Sequence, residues 1–470
     1  MRSGGTVNVP QGALLPAPPP TLPDHFLYLI AGKRVNPSTF LSFMFIQKLR
    51  LYALLLTASL TASGADKGGG SITLADALAR TLRGSPELAA YSYELRSAEA
   101  RVLQAGVRPN PEMSVQIENP TGSGPYKSGE QMENTMTLSQ LIELGGKRPA
   151  RISEAQAAHA VLQWDYQVKR VEALQATALA FIDVLSAQRR LALAEDVLKV
   201  TREALSATEQ SVGVGKANVV DAIRANVTAA STLIDVEQAR RDIASAHGHL
   251  AAQWGARSAD FNTVRGNLNP LRTVPSLDSL GKRLLGSPDL VRWTAEKERR
   301  TALLRKEQSL AQQDITVQAG PRIEGKAQDA TFVAGFSIPL PINNRNQGGI
   351  AQARANLGKL VEEKRASETR AFAALNEAFQ NLTGAQREIT ILEESVIPGA
   401  QNAEKQLVEG YAAGRFTQFE VLDARRTLNA ARVQQLRALA DYQKAWARID
   451  SLTALPRELP QLPSAKSRRQ

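Results

Sequence analysis

The chain has 470 residues and a formal net charge of +11, from 57 Lys and Arg against 46 Asp and Glu. It contains no cysteine, which excludes disulfides, thiolate metal sites, a cysteine nucleophile and a lipid-bearing cysteine behind an export signal. Aromatics make up only 5% of the chain, and the long middle stretches are rich in Ala, Leu, Arg, Gln and Glu, the composition of long or coiled helices.

Residues 1–43 are Pro-rich and aperiodic, and read as a spurious or disordered N-terminal extension. Met44 opens a better-proportioned segment: Lys48 and Arg50, then the apolar run 51–60, then small residues ending Ser63-Gly64-Ala65. A basic start, a short apolar centre and a small-residue cleavage site make 44–65 a signal peptide, with the mature chain beginning near Asp66. A single buried helix is the competing reading of that run. No other run approaches the roughly 18–20 apolar residues of a membrane helix, so a chain like this crosses a membrane only with strands closed into a barrel.

The remainder repeats itself once. Gly84-Ser85-Pro86-Glu87-Leu88 returns as Gly286-Ser287-Pro288-Asp289-Leu290, opening a helical stretch both times. Ser139 to Arg148 matches Ser337 to Asn346, and Val214-Gly215-Lys216 matches Ala413-Gly414-Arg415. All three pairs lie about 200 residues apart and in the same order, the signature of a duplication. The repeats span 66–265 and 266–455, followed by a disordered tail at 456–470.

Each repeat predicts the same elements in the same order. A first helix covers about 73–106, or 276–312. Two weakly alternating strands follow, at 111–119 and 132–141, or 314–323 and 330–340. Gly145-Gly146, or Pro339 and Pro341 with two asparagines, mark the strand-to-helix transitions. Pro ends strand pairing because it has no N–H, and Gly permits a sharp turn. A very long helix covers 147–211, or 346–410, with apolar residues at three- and four-residue steps such as Val161, Trp164, Val168 and Val171. At 1.5 Å per residue each would reach about 95–100 Å. Pro398 predicts a kink, or a junction of two stacked helices, inside the second. A Gly-containing turn leads into a returning helix, 217–255 or 417–454.

Counting strands decides the assembly. One chain offers four, a membrane barrel needs about eight or more, and three chains supply twelve. Closure therefore asks for a homotrimer with its helices bundled into a hollow cylinder.

Other chemistry is absent. His247 and His249 are two apart, which does not put both rings on one helix face, and no metal or cofactor site emerges. There is no His-Glu-x-x-His stretch and no Gly-x-Ser-x-Gly elbow, so the chain does not read as an enzyme. The basic excess decorates wet helix faces and the chain ends, and no nucleic-acid-binding motif accompanies it.

Three motifs carry a resemblance: Leu138-Ser139-Gln140 through Glu143-Leu144-Gly145-Gly146-Lys147-Arg148; Phe336-Ser-Ile-Pro-Leu-Pro341; and Tyr411-Ala-Ala-Gly414-Arg-Phe-Thr-Gln-Phe-Glu-Val-Leu-Asp423. From about 71 to 454 the chain resembles TolC-type outer-membrane factors, most of all the branch that serves heavy-metal efflux pumps of the resistance-nodulation-division type. The resemblance implies a mainly α fold with a small β part. Long antiparallel helical hairpins would form an α-barrel, and four strands per chain would join a twelve-stranded trimeric β-barrel in outer-membrane lipid.

It further implies a passive exit duct meeting a periplasmic adaptor and an inner-membrane pump. The tip turns, Val214, Gly215 and Gly414 with Asp221, would touch the adaptor; plain helix capping is the alternative for the glycines. Tyr411, Arg415, Glu420 and Asp423 would form the periplasmic gate; a solvated helix face is the alternative for the two acids. Phe416 departs from the family pattern, standing where an arginine can pair with the acid, with Arg415 one residue earlier. Two rival readings are a periplasmic coiled-coil structural or adaptor protein without a barrel, and a DNA-organising helical protein.

Overall fold

The first half of the chain runs β1 (Ser71–Thr73), α1 (Leu74–Gly84), α2 (Pro86–Ala105), β2 (Glu112–Glu118), β3 (Glu133–Ile142), α3 (Lys147–Gly213) and α4 (Val219–Ala252). The second half repeats it as β4 (Thr263–Arg265), α5 (Leu277–Leu284), α6 (Pro288–Ser309), β5 (Ile315–Glu324), β6 (Asp329–Ser337), α7 (Gln347–Ile391), α8 (Ile397–Ala412) and α9 (Gln418–Leu452). The structure is a computed structural model that describes residues 70–455 except 130, 270 and 326–328. The expected extension 1–43, signal peptide 44–65 and tail 456–470 lie outside the described residues.

The elements depart from the sequence expectation in three places. The first helix of each repeat is two helices, broken at Ser85-Pro86 and Ser287-Pro288. Proline disfavours helical backbone in the residue before it, and Ser85 sits extended at φ −60°, ψ 119°. Each proline then starts its new helix, where a missing N–H costs nothing.

β6 stops at Ser337 rather than 340, because Pro339 has no N–H to extend the ladder. The second long helix, in which Pro398 predicts a kink or a junction, is interrupted by a π-helical turn, Leu392–Val396, directly before the helix that carries that proline; α3 in the other repeat runs unbroken for 67 residues, about 100 Å. Lastly, β1 and β4 form a parallel pair, Ser71 opposite Thr263. Three residues are too few to leave a periodic signal.

α3 packs against α2, α4, α6 and α9, and α9 packs against α7 and α8. With neighbours on several sides it shows no single apolar stripe. The core sits where both halves meet: Phe181, Val184 and Leu185 from α3, Leu250 from α4, Leu375, Leu382 and Ile389 from α7, and Tyr442, Trp446 and Ile449 from α9. Each such side chain contributes about 1.5–3 kcal/mol by leaving water. Ion pairs set the antiparallel register of α3 on α6, with Asp165 on Arg292 and Glu154 3.3 Å from Lys306.

At the joint with the sheet, Asp314 lies 2.7 Å from Lys147 and accepts from the Leu144 N–H at 3.0 Å. Glu143 pairs with Arg151 beside it. These bonds fix where the strands stop and the long helix begins.

Candidate functional site

β2, β3, β5 and β6 form one antiparallel sheet in that order, so β2 and β6 are open edges within the chain. The registers Met113↔Leu138, Val115↔Met136, Val317↔Phe336 and Pro321↔Phe332 place an apolar row on one face. Met113, Val115, Ile117, Met136, Leu138, Val317, Phe332 and Phe336 are all exposed. The opposite face carries Ser114, Gln116, Glu118, Thr135, Thr137 and Arg322. Such alternation, bare on its apolar side, suits a sheet with lipid on one face and water on the other.

At the loop end of the polar face, Arg322 lies 3.1 Å from Glu133 and 3.9 Å from Glu118, and donates to the Thr135 hydroxyl at 3.0 Å. One side chain thus joins three strands from both repeats. The ladder between β3 and β5 pinches at Gly320, where a Cβ would stand 1.8 Å from the Met136 carbonyl oxygen.

The strand-to-helix residues are positioned by backbone geometry. Gly145 has φ +66°, and a Cβ there would stand 2.4 Å from the Gln312 Cβ. Gly146, also left-handed, is the N-cap of α3. In the second repeat Asn346 takes that position at φ 55° and donates to the Glu307 carbonyl at 2.8 Å and its carboxylate at 2.7 Å. Pro339 and Pro341 follow the end of β6.

At the opposite end, the two helical hairpins turn at Gly215 and Gly414, with φ of +75° and +69°. Lys216 N–H closes onto the Ser211 carbonyl and Arg415 N–H onto the Gly410 carbonyl, both at 2.8 Å. These are left-handed helix caps, which explains the glycines without a partner. Val214 is exposed, and Asp221 sits in the first turn of α4, whose Asn218 cap accepts from the Val220 N–H at 3.0 Å.

The four expected gate residues form no single network. The Glu420 carboxylate accepts from the Thr417 N–H at 2.7 Å and the Thr417 hydroxyl at 2.8 Å, and these bonds hold its pKa below the usual glutamate value. It serves as half of a capping box at the start of α9. No carboxylate of the described residues pairs with Arg415, and Tyr411 and Asp423 share no hydrogen bond. Phe416 instead folds over Gly410, where a Cβ would meet its ring at 2.3 Å.

Asp423 faces a groove of about 800 Å³ between the two hairpins, lined also by Val200, Ile223, Val227, Phe419 and Arg425. The cap at Thr417 carries the sequence signature of Thr three residues before Glu; Arg322 left no local signal, because its partners are distant in sequence. Among the described residues no group of three or more His, Asp or Glu could hold a metal ion, and no helix is long and apolar enough to cross a membrane. His247 packs edge-on against Phe261 at 5.0 Å, and burial pushes its pKa down.

The outer membrane efflux protein family model matches residues 77–256 and 284–455, one span in each repeat. The chain belongs to this family. The cobalt-zinc-cadmium resistance protein CzcC of Cupriavidus metallidurans is 32% identical over 82% of this chain and 91% of its own length. The nickel-cobalt-cadmium resistance protein NccC of Alcaligenes xylosoxydans xylosoxydans is 27% identical over 64% of this chain and 67% of its own. Among solved structures, the transmembrane channel CusC superposes with a TM-score of 0.69 at 16% identity, covering 84% of this chain and 96% of that one. The fold is therefore that of TolC-type channels: mainly helical with a small sheet. As a member of the outer membrane efflux protein family with four strands in one sheet, the chain does not fit the reading as a barrel-less coiled coil.

Proposed function

We propose that this protein is the outer-membrane exit duct of a tripartite efflux system, conducting heavy-metal cations passively from an inner-membrane pump and periplasmic adaptor to the exterior. One observation carries the reading: a four-stranded sheet, open at both edges and amphipathic across its faces, stands at the end of helices about 100 Å long. Three copies close those edges into twelve strands and remove every unpaired backbone group from lipid. The cation cargo is supported by the names of the metal-resistance relatives.

The polar faces of the strands line the bore, and the helices continue it into the periplasm. Tyr411, Arg415, Glu420 and Asp423 ring the periplasmic aperture, with Glu420 engaged in its helix cap; the Asp423 carboxylate, repeated by threefold symmetry, favours cations in transit. The turns at Val214, Gly215 and Gly414, with Asp221, receive the adaptor. Gly145, Gly146, Pro339 and Pro341 make the passage from strand to helix. The protein needs no bound cofactor for this, because the pump supplies the energy.

The test is direct. Purified protein in detergent is expected to run as a heat-modifiable trimer and to conduct ions in planar bilayers. Deletion of its gene is expected to sensitise the cell to cobalt, zinc or cadmium. A monomer that gives no conductance would remove the reading.

A further inference from the structure

The apolar face of the sheet does not stop where β6 stops. Along β6, Phe332 and Phe336 point to that face, and the alternation continues through Ile338 to Leu340 after the last ladder residue, Ser337. Ile342 follows, past a tight turn in which its N–H bonds to the Leu340 carbonyl at 2.9 Å. Phe336, Leu340 and Ile342 are 74%, 76% and 74% exposed, so nothing in this chain covers them. The run from Phe336 to Ile342 holds no charged residue.

The first repeat differs at the same place. There the corresponding residues are Gln140 and Glu143, β3 continues to Ile142, and the Glu143 carboxylate is taken by Arg151. The two polar positions are Ile338 and Pro341 in the second copy, and its apolar side chains are barer: Leu340 and Ile342 are 76% and 74% exposed, against 44% and 37% for Ile142 and Leu144.

A cation closes the run. Arg345 Nε donates to the Pro341 carbonyl oxygen at 2.9 Å, and no carboxylate of the described residues pairs with it. An exposed apolar stretch continuous with a lipid-facing sheet, ended by an arginine tethered to it, matches the boundary between acyl chains and phosphate headgroups. Apolar side chains take the hydrocarbon, and guanidinium takes the anionic phosphate.

We propose that residues 338–345 are a phospholipid-binding foot that seats the protein in the periplasmic leaflet of the outer membrane. Ile338, Leu340 and Ile342 enter the acyl region and Arg345 meets headgroup phosphate. The proposal rests on the barrel reading above. It supplies a second hold on the membrane beside the strands.

The absence of cysteine makes the test clean. Phe336→Cys, Leu340→Cys, Ile342→Cys and Arg365→Cys are each labelled with a bimane fluorophore, and the full chain is reconstituted into phospholipid vesicles. Spin-labelled lipids then quench by depth. The label at 336 is expected to lose emission to a nitroxide deep in the acyl chain, and those at 340 and 342 to one near the headgroup. The label at 365, on the exposed face of α7, is expected to lose none. Arg345→Gln is expected to weaken quenching at 340.

If 336 is quenched while 340 and 342 behave like 365, lipid does not cover the segment and the foot is wrong. It is equally wrong if, in detergent-solubilised trimers, a spin-labelled detergent quenches 336 but not 340 or 342, because a neighbouring subunit then covers them. If 336 itself escapes quenching, the barrel reading fails, and the foot with it.

Discussion

The Tyr442 hydroxyl holds both polar groups of one distant residue: it accepts from the Arg272 N–H and donates to the Arg272 carbonyl, each at 2.9 Å. Tyr442 is fully buried in α9, and Arg272 lies in the stretch between β4 and α5, near the start of the second repeat. The Arg272 guanidinium also stacks over Trp446 at 5.3 Å and reaches Asp450 at 3.1 Å. The β4–α5 connection is thereby pinned to the shared core. Tyr442→Phe keeps the ring and removes both bonds, leaving two backbone groups short of partners. A loss of about 1–3 kcal/mol is expected, read as a lower midpoint in thermal or denaturant unfolding of the assembled protein. An unchanged midpoint would mean that water replaces the hydroxyl without cost.

Arg322 is the sole cation on the strands of the four-stranded sheet, set among Glu118, Glu133, Glu324 and Asp329. Its half-buried, solvent-accessible pairs contribute only about 1 kcal/mol to stability, so its larger effect is on the field in the bore. Arg322→Gln is expected to leave the fold and trimer intact and to raise the preference for cations over anions. A reversal potential across a salt gradient measures this; the same ratio in wild type and variant would place Arg322 outside the conduction path.

The acid limb of stability has a named contributor in the Thr417–Glu420 cap. The bonds from Thr417 lower the Glu420 pKa relative to the unfolded chain, so the folded state binds its proton less readily than the unfolded one. The cap's contribution is complete above the unfolded pKa and is lost as pH falls through the folded one. Amide exchange at the start of α9, corrected for the intrinsic rate, is therefore expected to speed up on moving from neutral pH to about pH 4 or below. Glu420→Gln should abolish that pH dependence. An acid response that survives in the variant would assign the effect to another group.

Much of this architecture is legible in the sequence because its signals are local. Pro86 and Pro288 sit at identical points of the two repeats, and the glycine turns and period-2 strands need only neighbouring residues to be read. The misplaced boundaries trace to one cause: apolar periodicity runs straight across prolines, through Ser85-Pro86 in the first helix and past Pro339 in the last strand, where the backbone does not follow it. What stays hidden is long-range. The β1–β4 pair joins residues far apart in the chain, Arg322 finds its partners on other strands, and Tyr442 meets Arg272 across 170 positions. At the tip, spacing puts Glu420 and Asp423 on one helix face, yet Glu420 turns back to cap its own helix.

With Glu420 held in its cap and no carboxylate of the described residues paired with Arg415, Asp423 and Tyr411 are left to carry the gate proposal. Replacing both, Tyr411→Ala with Asp423→Ala, removes a ring and a carboxylate that are at least partly exposed, with little expected effect on folding. If they hold the aperture, single-channel conductance is expected to rise and cells to become leaky to large antibiotics. Conductance and susceptibility equal to wild type would reassign both residues to an ordinary solvated face. Glu420→Gln serves as the comparison, since its carboxylate is already engaged and its effect should be confined to the acid response.

The tip glycines allow capping to be separated from docking. Gly215 and Gly414 both require positive φ, and a Cβ at either would meet nothing within 4 Å in this chain. Alanine is strained there by about 1–2 kcal/mol, whereas asparagine enters that conformation readily. If the glycines are only caps, Gly414→Asn should restore both the stability and the metal resistance that Gly414→Ala loses. If an adaptor backbone lies against the turn, asparagine should restore the unfolding midpoint but not resistance, because its side chain occupies the space the partner needs. Unfolding curves and growth on cobalt, zinc or cadmium, measured on the same pair of variants, distinguish the two; resistance that follows stability in both would leave the turn with no docking role.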